Sequence, residues 1–501
     1  MVDISSIDSI MLMVAALLFV SVLAGKTSLR VGVPTLVFFL AIGMLVGSEG
    51  LGLLEFNNPH VAQSVGIVAL NFILFYGGFD TSWKEVKPVM WKGVSLSVFG
   101  VLFTALILGY FIYLIVPGFS LIEGMLLGSI VSSTDAAAVF AVLRSKNLGL
   151  QGGLRPMLEF ESGSNDPMAY LLTLTFLSLA QNPEISVASQ ILFFILQMSI
   201  GLIMGFAMGW VSKKIINKIT LGYDALYAIL VIALIFFTYS LTGLAQGNGF
   251  LAVYVFAIYL GNQKLMHKQM ISKIFDGYAW LMQIIIFITL GLLVYPNHIV
   301  PVIGIGLLIS AFLMFVARPI SVFLSLLPFK MSLNKRIFVS WVGLKGAVPI
   351  VFATYPLVAG VDKADMIFNI VFFISATSVL IQGTTLTKVA ELFKVSLPMK
   401  KKQKISIDIE ISDIEDVKSK FAKVILPSNS KAVGVPLVEL GFPQKAAISL
   451  IIRGEKYITP YGATRLEAND KLLVVSEDAI SMANALESLE AKPSEVDWAD
   501  M

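Results

Sequence analysis

Cysteine is absent, and histidine occurs only three times in 501 residues. A disulfide scaffold, a thiolate metal site and a cysteine nucleophile are therefore excluded. A histidine metal centre has almost nothing to draw on. Charge is also scarce: Asp, Glu, Lys and Arg make up 14% of the chain, where a soluble domain carries about 25%. The phosphate loop GxxxxGK[ST] is missing, which argues against a nucleotide-driven pump. No TVGYG-type filter run occurs. What fills the chain instead is apolar, 57% of all residues. The length would suit three soluble domains, but the composition is that of a polytopic α-helical membrane protein.

A spanning helix needs about 20 apolar residues. Thirteen runs predict one each, at 7–24, 33–48, 61–79, 93–116, 120–143, 156–180, 186–211, 223–243, 246–262, 274–294, 298–327, 337–357 and 365–387. The first shows neither the cationic start nor the small-residue cleavage site of a signal peptide. Bases in the loops test the count. After odd-numbered spans come Lys26 and Arg30, then Lys84, Lys87 and Lys92, then Arg144, Lys146 and Arg155. Further on come Lys213, Lys214 and Lys218, then Lys264, Lys268 and Lys273, then Lys330, Lys335 and Arg336. After even-numbered spans there is only Lys363. The positive-inside rule places the rich set in the cytoplasm. The N-terminus is then expected outside and the C-terminus inside.

The last part of the chain reads differently. Residues 405–501 hold 16 acids and 10 bases, a net −6, while residues 1–404 are net +9. KFAKVILP (420–427), AAISLIIRG (446–454) and DKLLVVSE (470–477) are short β-branched runs, and AISMANALESLE (479–490) has a helical pattern. A small α+β cytoplasmic domain follows. It holds no GxGxxG, so no complete dinucleotide fold is marked. The expected division is a membrane domain over 1–398, a linker over 399–417 and the tail domain over 418–501.

A charge in the bilayer core costs at least a few kcal/mol, so each one at that depth is a functional candidate. Six qualify: Asp135, Glu159, Glu161, Asp166, Arg318 and Lys345. Four acids against two bases make a cation-binding interior. Span 5 carries Ser132-Ser133-Thr134-Asp135, several oxygen donors together, which suits a hard alkali cation. Its plain alternative is a Ser/Ala packing face. In span 6, Glu159, Ser162 and Asp166 are spaced i, i+3, i+7 and share one helical face, with Glu161 and Asn165 on the neighbouring face. The apolar run after them, 167–180, reaches only about 21 Å as a helix, short of a core of about 30 Å. The acidic segment is thus drawn into the span. Arg318 stays charged and pairs well with carboxylates; Glu161 is its expected partner, snorkelling the alternative. In span 12, Gly343, Gly346 and Pro349 flank Lys345 and break a helix. Transporter sites are built at such breaks, where half-helix ends face ions, and Lys345 is placed to balance those ends.

These residues give the chain its resemblance. SSTDAAAVF (132–140), LEFESGSNDPMA (158–169), ARPI (317–320) and WVGLKGAVPI (341–350) resemble the NhaP-type cation/proton antiporters, relatives of the animal sodium/proton exchangers, along most of residues 1–400. The stretch AAISLIIRGEKYITPYGATRLEANDKLLVV (446–475) resembles the TrkA C-terminal regulatory domain, a pairing found in the potassium/proton branch. The resemblance implies inverted repeats, two broken crossing helices in spans 5 and 12, a homodimer and a bacterial inner-membrane location. It implies that Asp166 carries cation and proton in turn, that Asp135, Thr134 and Ser162 help hold a monovalent cation, and that Asn165 stands where electrogenic relatives have a second Asp. Glu161 would pair with Arg318. No cofactor is implied beyond the transported potassium or sodium, apart from a small nucleotide ligand on the tail. Two positions depart from the pattern. Ala136 stands where many relatives have Pro, so the span 5 break must rest on packing or on capped half-helix ends. Lys345 stands where relatives have Arg, and lysine lacks the planar fork.

A carboxylate kept from water tolerates its charge only when neutralised, by a proton or by a cation. Asp166 alternating between two faces in either form gives antiport, and one acid at that position makes exchange electroneutral. Two other classes share some of these features. A cation channel with a regulatory tail would conduct without saturating, and an intramembrane aspartyl protease would need a Gly-x-Gly-Asp sequence that is missing.

Overall fold

The computed structural model describes residues 7–31, 35–54, 56–146, 148–182, 184–295, 297, 300–398, 420–454, 456–490 and 496–498. The chain divides into two compact units, Met1–Lys402 and Gln403–Met501. The expected linker 399–417 lies outside the described residues.

The first unit is helical. Its helices are α1 (Ile7–Val31), α2 (Thr35–Val46), α3 (Pro59–Asp80), α4 (Met90–Ile115), α5 (Leu121–Ile130), α6 (Ala136–Ser145), α7 (Leu154–Gln181) and α8 (Val187–Lys218). Then follow α9 (Ala225–Leu244), α10 (Gly249–Gly261), α11 (Lys268–Leu292), α12 (Val300–Ser325), α13 (Leu333–Trp341), α14 (Ala347–Val358) and α15 (Ala364–Leu392). Each of the thirteen predicted segments falls on one of these helices or on a pair. Among the described residues seven helices are long and apolar enough to cross a membrane by themselves. Two predicted spans are split instead: α5 and α6 are separated at Val131–Asp135, and α13 and α14 at Val342–Gly346.

Local chemistry sets the helix ends. Asn58 caps α3, accepting from the Val61 amide at 3.2 Å, with Pro59 at the first helical position. Ser120 and Glu123 form a reciprocal capping box on α5. Glu123 also meets Lys363 at 3.0 Å. The outer surface stays apolar: on α8, Leu192, Ile203, Phe206 and Trp210 are exposed, as a lipid-facing helix requires.

Two π turns interrupt the long helices, Leu96–Gly100 in α4 and Leu313–Ala317 in α12. Such turns shift the helical register and recur at functional positions. The second one immediately precedes Arg318, which is turned fully inward at 1% exposure. A two-stranded ribbon, β1 (Leu148–Leu150) against β2 (Ser396–Pro398), ties the loop before α7 to the chain after α15.

In the second unit, strands β3 (Lys420–Ile425), β4 (Ala446–Arg453), β5 (Lys456–Ile458), β6 (Lys471–Ser476) and β7 (Val496–Trp498) form an antiparallel sheet in the order β5-β4-β6-β3-β7. The three longest strands and helix α16 (Ala479–Ser488) fall on the four predicted runs. Val424, Ile451, Leu472, Val474, Met482 and Leu489 share its core. Asp470 is buried and receives Arg453 at 2.8 and 2.9 Å.

Candidate functional site

The two unwound segments meet in the core. The Asp135 amide donates to the Leu344 carbonyl at 2.7 Å, so one break hydrogen-bonds to the other. Lys345 Nζ donates to the Ser133 and Ser132 carbonyls at 2.8 and 3.2 Å. A positive charge thus sits on the carbonyls that follow α5, the negative end of that half-helix. The Lys345 amide donates to Ser378 Oγ at 3.1 Å, Ser378 donates to Gln382 Oε1 at 2.5 Å, and Gln382 Nε2 donates to the Trp341 carbonyl at 2.9 Å. α15 thereby satisfies the second break. The lost planar fork at position 345 costs nothing here, because the partners are two carbonyl oxygens and an ammonium reaches both.

Ala136 is accommodated by capping. Its amide donates to Ser162 Oγ at 2.9 Å, and Ser162 Oγ donates to the Thr134 carbonyl at 2.9 Å. Asp135 is the N-cap of α6, accepting from the Ala138 amide at 3.2 Å. Gly346 is needed where it stands, since a side chain there would strike the Asp135 carboxylate.

Helix α7 presents its residues on two faces. Glu159, Ser162 and Asp166 all line a cavity of about 850 Å³, together with Ser133, Thr134 and Asp135. Asn165 and Glu161 point elsewhere and are fully buried. Asn165 Nδ2 donates to Thr134 Oγ1 at 2.6 Å. Arg318 Nη2 donates to Glu161 Oε1 at 2.5 Å, with both side chains 2% exposed. Asp166 has no basic partner within ion-pair distance among the described residues, and its Oδ1 makes no hydrogen bond. Asp135, Glu159 and Asp166 thus line the cavity, while both deep bases are spent on other partners.

Glu159 has a partner on its own helix. Helix α7 already starts at Leu154, which brings Arg155 one turn below Glu159, and the two pair at 2.8 Å with side chains 46% and 29% exposed. The cavity reaches this pair's level and continues past Asp80, Arg144 and Lys146. Sequence reasoning also missed Tyr254 of α10. Its ring covers Gly163 between Glu159 and Asp166, and it lines the same cavity. The bare glycine in Glu161-Ser162-Gly163-Ser164-Asn165-Asp166 was the available signal for that close approach. Asn71 donates to the Ile67 carbonyl of its own helix at 2.8 Å.

Comparison with known proteins follows the same division of the chain. Residues 14–392 match the family model described as sodium/hydrogen exchanger, transmembrane, and residues 421–486 match the TrkA-C domain. The chain is 38% identical to the K(+)/H(+) antiporter NhaP2 of Shewanella baltica, over 95% of its own length and 82% of that protein's. It is 38% identical to the K(+)/H(+) antiporter NhaP of Alkalimonas amylolytica, over 78% of its own length and 68% of that protein's. Its fold is similar to that of the sodium proton antiporter MjNhaP1 from Methanocaldococcus jannaschii, with a TM-score of 0.65 at 24% identity, covering 75% of this chain and 99% of that one.

The buried ion pair generates a stability prediction. Removing one partner strands a charge away from water, at a cost of about 3–5 kcal/mol, whereas replacing both by apolar groups avoids it. Arg318→Met should lower the thermal unfolding midpoint in detergent, and adding Glu161→Leu should recover much of the loss. A single variant as stable as the parent would show that the pair is not the buried, mutually dependent unit described.

Proposed function

The chain belongs to the sodium/hydrogen exchanger family and is a secondary transporter, not an enzyme, that exchanges monovalent cations for protons; from that premise we propose that Asp166 is the carboxylate that carries both. The observation behind this is the distribution of partners. Among the six deep candidates, Arg318 is held by Glu161, Lys345 by carbonyls, Glu159 by Arg155 and Asp135 by the α6 amide. Asp166 lines the cavity with no basic partner within ion-pair distance among the described residues, and its Oδ1 makes no hydrogen bond. A carboxylate in that position is neutralised by a proton or by a cation, one excluding the other. Asp135 lines the same cavity. Thr134, Ser162 and Asn165 frame the site through their mutual hydrogen bonds, and Lys345 holds the crossing.

The fold supports an alternating mechanism. A π turn, a broken helix and a long helix occur in that order twice, over 90–181 and over 300–392. The loop charges give the two runs opposite directions through the membrane, the pattern of an inverted repeat. With thirteen crossings the N-terminus lies outside. The cavity runs from Asp166 to Arg144 and Lys146, bases that the charge rule places in the cytoplasm, so this conformation faces inward. Potassium is the proposed cation, since the two relatives at 38% identity over most of this chain bear that description. The tail is proposed as a regulatory module. A homodimer and a small tail ligand, both implied by the resemblance, belong to the same proposal.

Three outcomes test it. Asp166→Asn should abolish cation/proton exchange in proteoliposomes while the purified protein keeps its elution profile and unfolding midpoint; retained exchange sinks the assignment. With Asn165 beside a single carrier acid, one cation should move per proton. Exchange should then be unchanged by an imposed potassium–valinomycin potential when sodium or lithium is the transported ion, and a clear rate dependence would contradict that stoichiometry. Deleting 405–501 should shift the pH profile or cation affinity and leave exchange in place. Complete loss in a stably inserted truncation would make the tail structural.

A further inference from the structure

Helix α10 meets α7 along a seam. Tyr254 covers Gly163. Asn248 Nδ2 donates to the Pro167 carbonyl at 2.9 Å. Phe250 meets Tyr170 edge-on, with ring centroids 5.0 Å apart and planes at 88°. On α7 these contacts fall at i, i+4 and i+7, so they share a face. Asp166 lies among them, one residue before Pro167. Gly163, Asp166 and Tyr254 line the cavity, whereas Pro167, Tyr170, Asn248 and Phe250 do not. Beyond Asp166, Met168, Ala169 and Leu172 of α7 share an apolar core with Phe250. The seam is therefore open on one side of Asp166 and sealed on the other.

Asn248 is fixed on the α10 side of this seam. Its amide donates to the Gln197 carbonyl of α8 at 3.0 Å, and its Oδ1 caps α10 by accepting from the Leu251 amide at 3.1 Å. A side chain at Gly201 of α8 would strike the Asn248 carbonyl. α10 in turn shares a core with α3, α8, α9 and α11, where Phe256 joins Phe75, Met208, Ile235 and Phe275. The first turns of α7 belong to a different core, where Leu158 joins Phe140, Val322, Phe338 and Leu386 of α6, α12, α13 and α15. One side-chain amide, on a residue 1% exposed, thus reaches from one helix group to the backbone of the other. Its acceptor belongs to a proline inside α7, which removes one rung of the helical ladder at that level.

We propose that Asn248 is a latch: its bond to the Pro167 carbonyl holds α7 against α10 in the inward-facing position and is released when Asp166 turns to the outer face. This rests on the alternating-access reading of the fold. Access to Asp166 from outside has to open the sealed part of the seam. Asn248 and Pro167 stand at the first step past Asp166, so that opening parts them. Water entering the opened seam takes over as acceptor for Nδ2, and release strands no buried donor. A hydrogen bond made in one state alone weights the two states by roughly five- to tenfold. Asn248 is thus a positioning residue, which acts on Asp166 through the backbone of α7.

The chain has no cysteine, so one introduced thiol reports access. Ala169 is fully buried and lies three residues past Asp166, on the same side of α7. In intact cells Ala169→Cys should react slowly with an impermeant maleimide added outside. Adding Asn248→Ser keeps an oxygen to cap α10 and loses the reach to Pro167. It should raise the labelling rate roughly five- to tenfold and leave the unfolding midpoint near the parent's. Asn248→Ala, which loses the cap as well, should raise labelling and lower the midpoint. A labelling rate in Asn248→Ser equal to the parent's overturns the latch and leaves Asn248 a cap alone. Should Asn248→Ser fail to fold, a short bifunctional maleimide joining Tyr170→Cys to Phe250→Cys takes its place. Exchange lost on cross-linking supports the parting of the seam, and exchange retained in the cross-linked protein overturns it. A reporter thiol that never reacts from outside in an exchanging protein fells the alternating-access reading itself. A thiol that reacts from outside at a rate indifferent to Asn248 fells only the latch.

Discussion

A helix that stops inside a bilayer exposes backbone donors and acceptors that lipid cannot satisfy. Everything at this site follows from how two such interruptions satisfy each other. The Asp135 amide reaches across to the Leu344 carbonyl, and Lys345 reaches back to the carbonyls of Ser132 and Ser133. Ser162 closes the remaining gap by bonding on both sides of the α5–α6 break. The crossing is thus a compact polar knot in an apolar interior. It holds Asp135 at the start of α6, beside the α7 face that carries Asp166.

Charge is distributed around this knot by the same economy. A buried ion survives only when paired or hydrogen-bonded. Arg318 meets Glu161, and both leave the cavity wall. Lys345 is spent on carbonyls, so its charge supports the break and does not form a salt bridge with the cavity acids. Asp135 and Asp166 line the cavity with no basic partner within ion-pair distance among the described residues. The chain belongs to the sodium/hydrogen exchanger family, and these charged residues come from four of the predicted spans.

Much of this was legible in the residue order. The alternation of basic loops located the spans because translocation leaves positive charge on one side only. The i, i+3, i+7 spacing of Glu159, Ser162 and Asp166 gave one face because a helix turns about 100° per residue. Glu161 was readable as the partner of Arg318 because few acids compete at that depth. Three things were not legible. The partners of Lys345 are backbone carbonyls, which carry no sequence signature. The pairing of Arg155 with Glu159 depended on where α7 begins, a boundary set by the turn through Gly152 and Gly153, both at positive φ. The short edge strands Lys456–Ile458 and Val496–Trp498 exist only by pairing with longer neighbours, so three residues of local pattern could not announce them.

The amino-acid sequence by itself determined the class of the molecule, the positions of its long apolar helices and the kinds of group they carry, because hydrophobic length and residue chemistry are local properties. What each of those groups holds was decided only by the tertiary structure. Thr134 and Ser162 look equivalent along the chain, a hydroxyl near an acid in each case. Packing the segments together gives the Thr134 hydroxyl to Asn165 and the Ser162 hydroxyl to backbone on both sides of the α5–α6 break, because hydrogen bonds form between segments that lie far apart in sequence and meet only in the fold.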